Sequence, residues 1–289
     1  MSVTALTVPR PPHVVRLGSG TPVVFVHGNG VDHRMMLALD AAFDESGLWE
    51  RIYLDLPGFG ATPALDAPGG LSQLADWLDE AVGGLLGSTP FAVVGASLGG
   101  LLARDLVARR PDQCLGMALL APVVDSVREN RLVPPHAVLV EDAALVAGLS
   151  AADAEAYTEL AVVQSRENWE RFRRSVLPGL QSADVRAMAR LAKDYALPAL
   201  PDDHLAGFDR PVLMLTGRQD AVVGYEDQWA LAQRFPRATY AVLDGAGHNL
   251  ENDQPDLVQA HLARWAQQMT EYATADRAHR RSGARPEQS

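Results

Sequence analysis

The sequence predicts an α/β fold, in which a mostly parallel β-sheet is flanked by helices and one long helical insertion interrupts the pattern. Short apolar runs alternate with longer amphipathic runs, which is typical of strand–helix–strand units in a parallel sheet. The runs VVFV, FAVV and VLML are apolar at every position, as expected of strands that helices cover on both faces. A hydrophobic fraction of 47% with 21% charged residues is enough for a sizeable buried core.

The predicted strands are the short apolar runs. Between the first two, Gly18-Ser19-Gly20 predicts a tight turn, which would make these strands an antiparallel hairpin at the edge of the sheet. The strands are predicted at residues 13–17, 22–26, 51–55, 91–95, 116–120, 212–216 and 239–243.

Helical patterns lie between the strands. The first, at residues 71–86, has apolar residues at the three- and four-residue spacing of one helical face. A second helix is predicted at residues 98–109, where Pro111 stops it. A third is predicted at residues 256–268, directly after Pro255, because proline suits the start of a helix.

One long stretch breaks the alternation. From residue 125 to residue 207 we find no strand pattern, only helical patterns such as 151–163 and 167–176 between prolines. Since about 80 residues are too many for a loop, we interpret the stretch as a helical cap over the carboxyl edge of the sheet. The predicted domains are a core of residues 1–124 and 208–269, a helical cap of residues 125–207, and a polar tail of residues 270–289 that is disordered or a frayed helix.

Composition excludes several classes of partner. The formal net charge of −11 argues against nucleic acid, because phosphate binding needs a basic face. The sequence shows neither a signal-peptide pattern at its start nor an apolar run of about 18 residues that would cross a membrane. The single cysteine, Cys114, is interpreted as a small buried hydrophobe. We therefore expect a cytoplasmic protein that acts on a small molecule; its oligomeric state is left open.

Ser97 lies in the sequence Gly95-Ala96-Ser97-Leu98-Gly99, which follows the apolar run FAVV and opens a predicted helix. A serine at a sharp strand-to-helix turn projects its hydroxyl above the sheet, and the turn needs small neighbours. The start of the helix directs free N–H groups and the positive end of its dipole at a developing negative charge. We therefore interpret Ser97 as a nucleophile. A phosphate-binding glycine loop is the alternative, but the glycine spacing fits neither common phosphate-binding motif.

The tetrapeptide His27-Gly28-Asn29-Gly30 follows the run VVFV. Acyl transfer needs two preorganised hydrogen-bond donors aimed at the oxygen that becomes negative. We predict that the backbone N–H groups of Asn29 and Leu98 are these donors, and that the glycines let the backbone turn inward. A plain glycine turn is the alternative. His27 is expected to orient the loop rather than to titrate.

Two polar loops follow the last two predicted strands. His248, in the loop GAGH, suits a general base, because a glycine-flanked histidine can reach both the serine and the leaving group. Asp220, in the loop GRQD, can hold that imidazole in the right tautomer and stabilise its charged form. The chain order serine, aspartate, histidine fits such an elbow. The rival acid is Asp125, which could equally cap the first helix of the insertion.

Together these motifs resemble the α/β-hydrolase superfamily over roughly residues 13–268. They are HGNG, DLPGFG (residues 55–60), GASLGG, GRQD and GAGH. The resemblance implies a mostly parallel sheet of eight strands and a catalytic triad at its carboxyl edge. It also implies a variable cap that shapes the pocket, and neither a cofactor nor a metal.

Members of this superfamily differ in chemistry. Epoxide hydrolases and haloalkane dehalogenases carry aspartate where this chain has Ser97, which disfavours both activities. The superfamily's carbon–carbon hydrolases often have asparagine before the serine, where this chain has Ala96. The expected activity is hydrolysis of a small ester, thioester, lactone or activated amide through an acyl-enzyme. The alternatives are a carbon–carbon hydrolase or lyase or a cofactor-free perhydrolase on the same triad, and a ligand-binding receptor with residual activity.

The insertion is expected to choose the substrate. Arg128, Arg131, His136 and Trp169 are candidates for lining the pocket, and either arginine could bind a substrate carboxylate. The alternative is that the run SVRENR is the solvated face of a helix.

Overall fold

The computed structural model describes residues 11–44 and 47–282. Every predicted strand is present, with bounds that differ by at most two residues. The strands are β1 (Val14–Gly18), β2 (Thr21–Val26), β3 (Trp49–Leu54), β4 (Phe91–Ala96), β5 (Cys114–Leu120), β6 (Val212–Gly217) and β7 (Ala238–Leu243). They form one sheet in the order β1-β3-β2-β4-β5-β6-β7, and all neighbours are parallel except β1 and β3. The predicted fold class is confirmed.

Two details of the sheet differ from expectation. The resemblance implies eight strands, whereas the described residues form seven. The predicted hairpin is wrong, because β3 lies between β1 and β2 and pairs with both. The turn after β1 instead crosses the start of β3 at very short range. A Cβ on Gly20, whose φ is +123°, would lie 2.2 Å from the carbonyl oxygen of Leu48, so this crossing requires glycine.

Helices flank the sheet, and they include the three that the sequence predicts there. The helices of the core are α1 (His33–Leu37), α2 (Ala41–Asp44), α3 (Leu71–Leu86), α4 (Leu98–Arg109), α10 (Glu226–Ala232), α11 (Leu250–Asp253) and α12 (Pro255–Ser282). The bounds of α3 and α4 match the prediction, while α12 continues past residue 268 into the segment predicted as a tail. Residues 283–289 lie outside the described residues. Among those that are described, no helix has both the length and the apolar composition needed to cross a membrane.

The core lies on both faces of the sheet. β4 is buried along its whole length, as its uninterrupted apolar sequence predicts. α3 and α4 pack against each other, and α12 packs against α2, β5 and β6, with Trp265 in ring contact with Phe43. Cys114, at the start of β5, is fully buried, and burial raises the pKa of its thiol to about 12. A thiol in this state acts as a packing group, as predicted.

Between β5 and β6 the chain forms helices and turns but no extended strand. The helices are α5 (Ala143–Ala147), α6 (Ala151–Thr158), α7 (Arg166–Ser175), α8 (Leu177–Ser182) and α9 (Val185–Lys193), with 3-10 turns at Arg128–Asn130 and Pro201–His204. An isolated bridge joins Val140 to Val163. The rings of Tyr157, Trp169 and Phe172 pack together and give the insertion a small apolar core. Its far end is anchored by a buried ion pair from Arg104 of α4 to Asp202.

Candidate active site

Ser97 occupies the turn between β4 and α4, at the carboxyl edge of the sheet. Its φ is +53°, in the left-handed region that residues other than glycine rarely adopt. A Cβ on Gly99 would lie 2.1 Å from the carbonyl oxygen of Val26, and one on Gly95 would lie 2.3 Å from that of Gly99. Both positions therefore require glycine, and the serine is held in its strained conformation by the close packing of β2, β4 and α4.

The structure brings Ser97, His248 and Asp220 together in one hydrogen-bonded line. Oγ of Ser97 lies 2.9 Å from Nε2 of His248. Nδ1 of the same ring lies 2.9 Å from Oδ2 of Asp220. Asp220 follows β6 and His248 follows the neighbouring strand β7. Because parallel strands end at one edge of the sheet, segments that are distant in sequence meet at this point.

The carboxylate of Asp220 is fixed from its other side. It is fully buried, and its Oδ1 accepts hydrogen bonds from the backbone N–H groups of Val222 at 2.8 Å and Val223 at 3.0 Å. Burial by itself would lower the pKa of His248, but the charge of Asp220 and its hydrogen bond outweigh burial and raise this pKa above its ordinary value. An imidazolium at this position is therefore stabilised.

Asp125, the rival acid, has a different set of partners. Its Oδ1 accepts from the backbone N–H of Val127 at 2.8 Å, and its Oδ2 accepts from Nδ2 of Asn130 at 2.9 Å. These contacts cap the 3-10 turn at the start of the insertion, which is the local role that the sequence left open for it. The carboxylate that touches His248 is that of Asp220.

His27 holds the loop after β2. Its buried ring has Nδ1 2.7 Å from the carbonyl oxygen of Gly28 and Nε2 2.9 Å from the backbone nitrogen of Leu56. A ring that donates from Nδ1 and accepts at Nε2 is neutral, and burial lowers its pKa, which keeps it so. His27 therefore orients the loop, and its neutral form is the favoured one.

The same loop approaches Ser97 closely. A Cβ on Gly28 would lie 3.3 Å from the Cβ of Ser97. Within residues 11–44 and 47–282, no acceptor takes a hydrogen bond from the backbone N–H of Asn29 or of Leu98. Asn29 lines the same pocket as Ser97, and Leu98 is the first residue of α4. Two free backbone donors beside a serine hydroxyl are what a tetrahedral oxyanion needs.

Asp55, in the DLPGFG loop, ties neighbouring segments together. Its Oδ1 accepts from the backbone N–H and Nδ1 of His33 at 2.8 Å each, and its Oδ2 accepts from Nδ1 of His13 and the N–H of Ala61 at 2.9 Å each. Burial by itself would raise the pKa of Asp55, but the hydrogen bonds from His33 and Ala61 outweigh burial and hold this pKa well below its usual range.

Ligand atoms of His13, His33 and Asp55 lie within 4.8 Å of one another, so this group could hold a metal ion. None of the three lines the pocket that contains Ser97.

A pocket of about 460 Å³ opens onto Ser97 and His248. One part of its wall is the loop after β2 together with α1, and another part comes from α6 and α8 of the insertion. Its charged lining residues, apart from His248, are Glu155 and Glu159. Its apolar lining residues are Val31, Met35, Ala152, Ala156, Leu160, Val176 and Leu180.

The four insertion residues predicted to line this pocket are not among its lining residues. Trp169 is 6% exposed and belongs to the insertion's own apolar core, where an aromatic ring buries more surface than at a pocket rim. The guanidinium of Arg131 donates to backbone carbonyls, that of Asp125 among them, and so is held in a loop. Arg128 and His136 are exposed to solvent. The exposure of Arg128 agrees with the alternative interpretation, in which the run SVRENR is a solvated surface.

The insertion residues that do line the pocket were not predicted from the sequence, because helical spacing alone does not show which face of a helix meets Ser97. Residues 152, 155, 156, 159 and 160 recur at the spacing of one helical face, and all of them line the pocket.

Asp253 was not predicted from the sequence either, because no motif in the run ENDQ distinguishes this acid as a functional residue. Its carboxylate accepts from the N–H of Gly247 at 2.9 Å and from Nδ2 of Asn168 at 2.8 Å, which joins the loop before His248 to α7.

Comparison with known proteins places this geometry in context. Residues 21–251 match the protein family described as the alpha/beta hydrolase fold. A pimeloyl-[acyl-carrier protein] methyl ester esterase from Shewanella woodyi is 33% identical over 109 residues, which cover 38% of this chain and 39% of that protein. An (E)-2-((N-methylformamido)methylene)succinate hydrolase from Acinetobacter baylyi is 25% identical over 89% of this chain and 94% of its own length.

Solved structures share the whole architecture. An alpha/beta superfamily hydrolase from Oenococcus oeni superposes with a TM-score of 0.82 and 27% identity, over 89% of this chain and 96% of that one. An esterase from Thermogutta terrifontis has a TM-score of 0.70 at 22% identity, over 92% and 97% of the two chains. At 22% identity, the likeness to the Thermogutta terrifontis esterase shows a shared fold alone.

Proposed function

The chain belongs to the α/β-hydrolase family, and on that premise we propose that it is a serine hydrolase that cleaves a small ester, thioester or lactone through an acyl-enzyme. The observation that carries the proposal is the unbroken line from Oγ of Ser97 through the ring of His248 to Oδ2 of Asp220. A hydroxyl, an imidazole and a buried carboxylate in this order are the parts that nucleophilic acyl transfer requires.

In the proposed reaction Nε2 of His248 takes the proton of Ser97 as Oγ attacks the substrate carbonyl carbon. The carbonyl π-electrons move to oxygen, and the N–H groups of Asn29 and Leu98 hydrogen-bond the resulting oxyanion. The intermediate collapses, the bond to the leaving group breaks, and His248 returns the proton to that group. Water then attacks the acyl-enzyme with the same base, and the acid product leaves with Ser97 regenerated.

Each part of the site has a separate share in lowering the barrier. Asp220 holds the ring so that Nε2 faces the serine, and it stabilises the imidazolium of the transition state. The two backbone donors belong to rigid segments, so they need no reorganisation as charge develops, and loss of one such donor typically costs about 3 kcal/mol.

The pocket supports small substrates. A volume of about 460 Å³ lies in the lower part of the range that is usual for small-molecule sites. The relative from Shewanella woodyi acts on a methyl ester, in line with ester cleavage here. The relative from Acinetobacter baylyi acts on a succinate, which is a dicarboxylate. The residues that line the pocket of this chain include two glutamates and no arginine or lysine that could bind a carboxylate. Cleavage of an ester is therefore better supported than action on a dicarboxylate.

The proposal is tested with p-nitrophenyl esters of increasing acyl length, together with thioesters and lactones. We expect turnover of at least one short-chain substrate, and stoichiometric inactivation by a fluorophosphonate that adds one adduct per chain by intact mass. Perhydrolysis and retro-aldol cleavage are assayed in parallel, because the same triad could serve them. If none of the esters, thioesters and lactones is turned over above the uncatalysed rate and no adduct forms, the proposal is wrong.

The pH dependence should follow His248. Since only the neutral imidazole can accept the serine proton, kcat/KM should fall as the pH drops through the pKa of this ring. That pKa is raised, so we expect the acid limb at a pH above the ordinary histidine value of about 6.5. The measurement is kcat/KM of the best neutral ester from pH 5 to 9, in buffers of constant ionic strength. An acid limb centred clearly below pH 6 would show that Asp220 does not act on this ring as described.

A further inference from the structure

One face of α6 forms part of the pocket wall. Ala152, Glu155, Ala156 and Glu159 line the pocket that also contains Ser97 and His248. The spacing of three and four residues puts them on one side of the helix, with the two glutamates one turn apart. At this spacing their Cβ atoms are about 5–6 Å from each other.

The carboxylates of Glu155 and Glu159 have no cationic partner in the part of the chain that the structure describes. Both side chains are exposed, and no ion pair or side-chain hydrogen bond to either occurs among the residues that the structure describes. The remaining lining side chains are apolar or uncharged, apart from His248. Like charges four residues apart on a helix are mildly destabilising, so this pair does not serve the stability of α6.

Charges near His248 do not cancel this pair. The charges that act most strongly on that ring are those of Asp220, Glu251 and Arg131. Asp220 is hydrogen-bonded to the ring itself, the guanidinium of Arg131 is held by backbone carbonyls, and burial raises the pKa of Glu251 to about 7. None of these three groups lines the pocket, whereas Glu155 and Glu159 do.

We propose that Glu155 and Glu159 select substrates by charge, so that esters bearing a protonated or quaternary amine are preferred over neutral esters of the same shape, and carboxylate-bearing esters are disfavoured. The inference rests on the proposed serine hydrolase and names its substrate class. The ammonium group would lie against the face of α6 while the scissile carbonyl lies at Ser97. The glutamates are specificity-determining residues and take no part in bond breaking.

The exposure of the two glutamates determines how large the expected change in kcat/KM is. Two unit charges a few ångströms apart at a solvent-accessible wall change kcat/KM by about tenfold at low ionic strength. Because the carboxylates are exposed, salt should screen them, and the preference should shrink as ionic strength rises from about 0.01 M to about 1 M, where the Debye length falls from roughly 30 Å to 3 Å. The change should appear mainly in KM, since the charge binds ground state and transition state alike.

The test uses aryl esters matched in length whose acyl chain ends in trimethylammonium, tert-butyl or carboxylate, and a second series with the same three groups on the alcohol side. The full-length chain is compared with the double variant Glu155→Gln/Glu159→Gln and with the reversal Glu155→Lys/Glu159→Lys. The matched control is Glu129→Gln/Glu141→Gln, which removes two exposed acids of the insertion that do not line the pocket. Thermal unfolding of each variant establishes that it is folded.

For the native chain we expect the order ammonium, tert-butyl, carboxylate in at least one of the two series. The double glutamine variant should lose most of this preference, the lysine variant should invert it, and the control should keep it. The comparison is made on the ratio of kcat/KM values between the charged esters and the tert-butyl ester, so that a general loss of activity in a variant does not alter the result. Equal preference in the native chain and the glutamine variant overturns the charge inference while leaving the hydrolase intact. Failure to cleave any ester, without serine labelling, overturns the proposed function instead.

Discussion

Replacing Ser97 by alanine is expected to lower kcat by about a million-fold, to the level that binding and the oxyanion donors alone provide. Without Oγ there is no nucleophile and no acyl-enzyme, whereas the donors of Asn29 and Leu98 remain in place. The fold should tolerate the change, because the carbonyl of residue 97 keeps its hydrogen bonds from Gly100 and Val123. Alanine also adopts a positive φ elsewhere in the chain, at Ala121, with φ of +41°.

The measurement combines ester hydrolysis with intact mass after treatment with a fluorophosphonate. The native chain should gain one adduct and the Ser97→Ala variant none, at an unchanged melting temperature. Ser72→Ala is the matched control, since Ser72 lies on α3 away from the pocket, and it should behave like the native chain. Equal labelling of native protein and Ser97→Ala would show that another residue is the nucleophile.

Replacing Asp220 by asparagine is expected to lower kcat by about 10⁴-fold. The amide oxygen can still accept from Val222 and Val223, so the loop should stay in place. The amide nitrogen would then face Nδ1 of His248 as a donor, which moves the ring proton to Nε2. In that tautomer the ring points N–H at Ser97 and cannot accept the serine proton. The variant also removes the charge that raises the pKa of His248, so the acid limb of its residual activity should shift to lower pH.

Asp125→Asn is the control that decides between the two acids which the sequence left open. Asp125 caps a turn of the insertion, so its replacement should change kcat only a few-fold, with any loss appearing in the melting temperature. Steady-state kinetics on the same ester and thermal unfolding are measured for both variants. A large loss of kcat in Asp125→Asn together with near-native activity in Asp220→Asn would reverse the assignment.

Local patterns were enough to predict most of the architecture. The buried strands show as uninterrupted apolar runs because a parallel sheet is covered on both faces. Glycines at 95 and 99 were recognisable because the turn at Ser97 tolerates no Cβ there. The length and proline content of residues 125–207 separated the insertion from the sheet, since neither suits a strand. Such signals are readable in sequence because each one reflects a requirement of the backbone within a few residues.

By itself, then, the sequence determined the fold class, the order of the strands along the chain and the polar residues in the loops that follow those strands. Only the tertiary structure decided how those strands pair, which of Asp125 and Asp220 reaches His248, and which face of the insertion meets Ser97. The predicted hairpin was wrong, and the four candidate residues of the insertion do not line the pocket, for the same physical reason. Pairing and pocket lining depend on contacts between segments far apart in sequence, and local spacing carries no information about the distance between them.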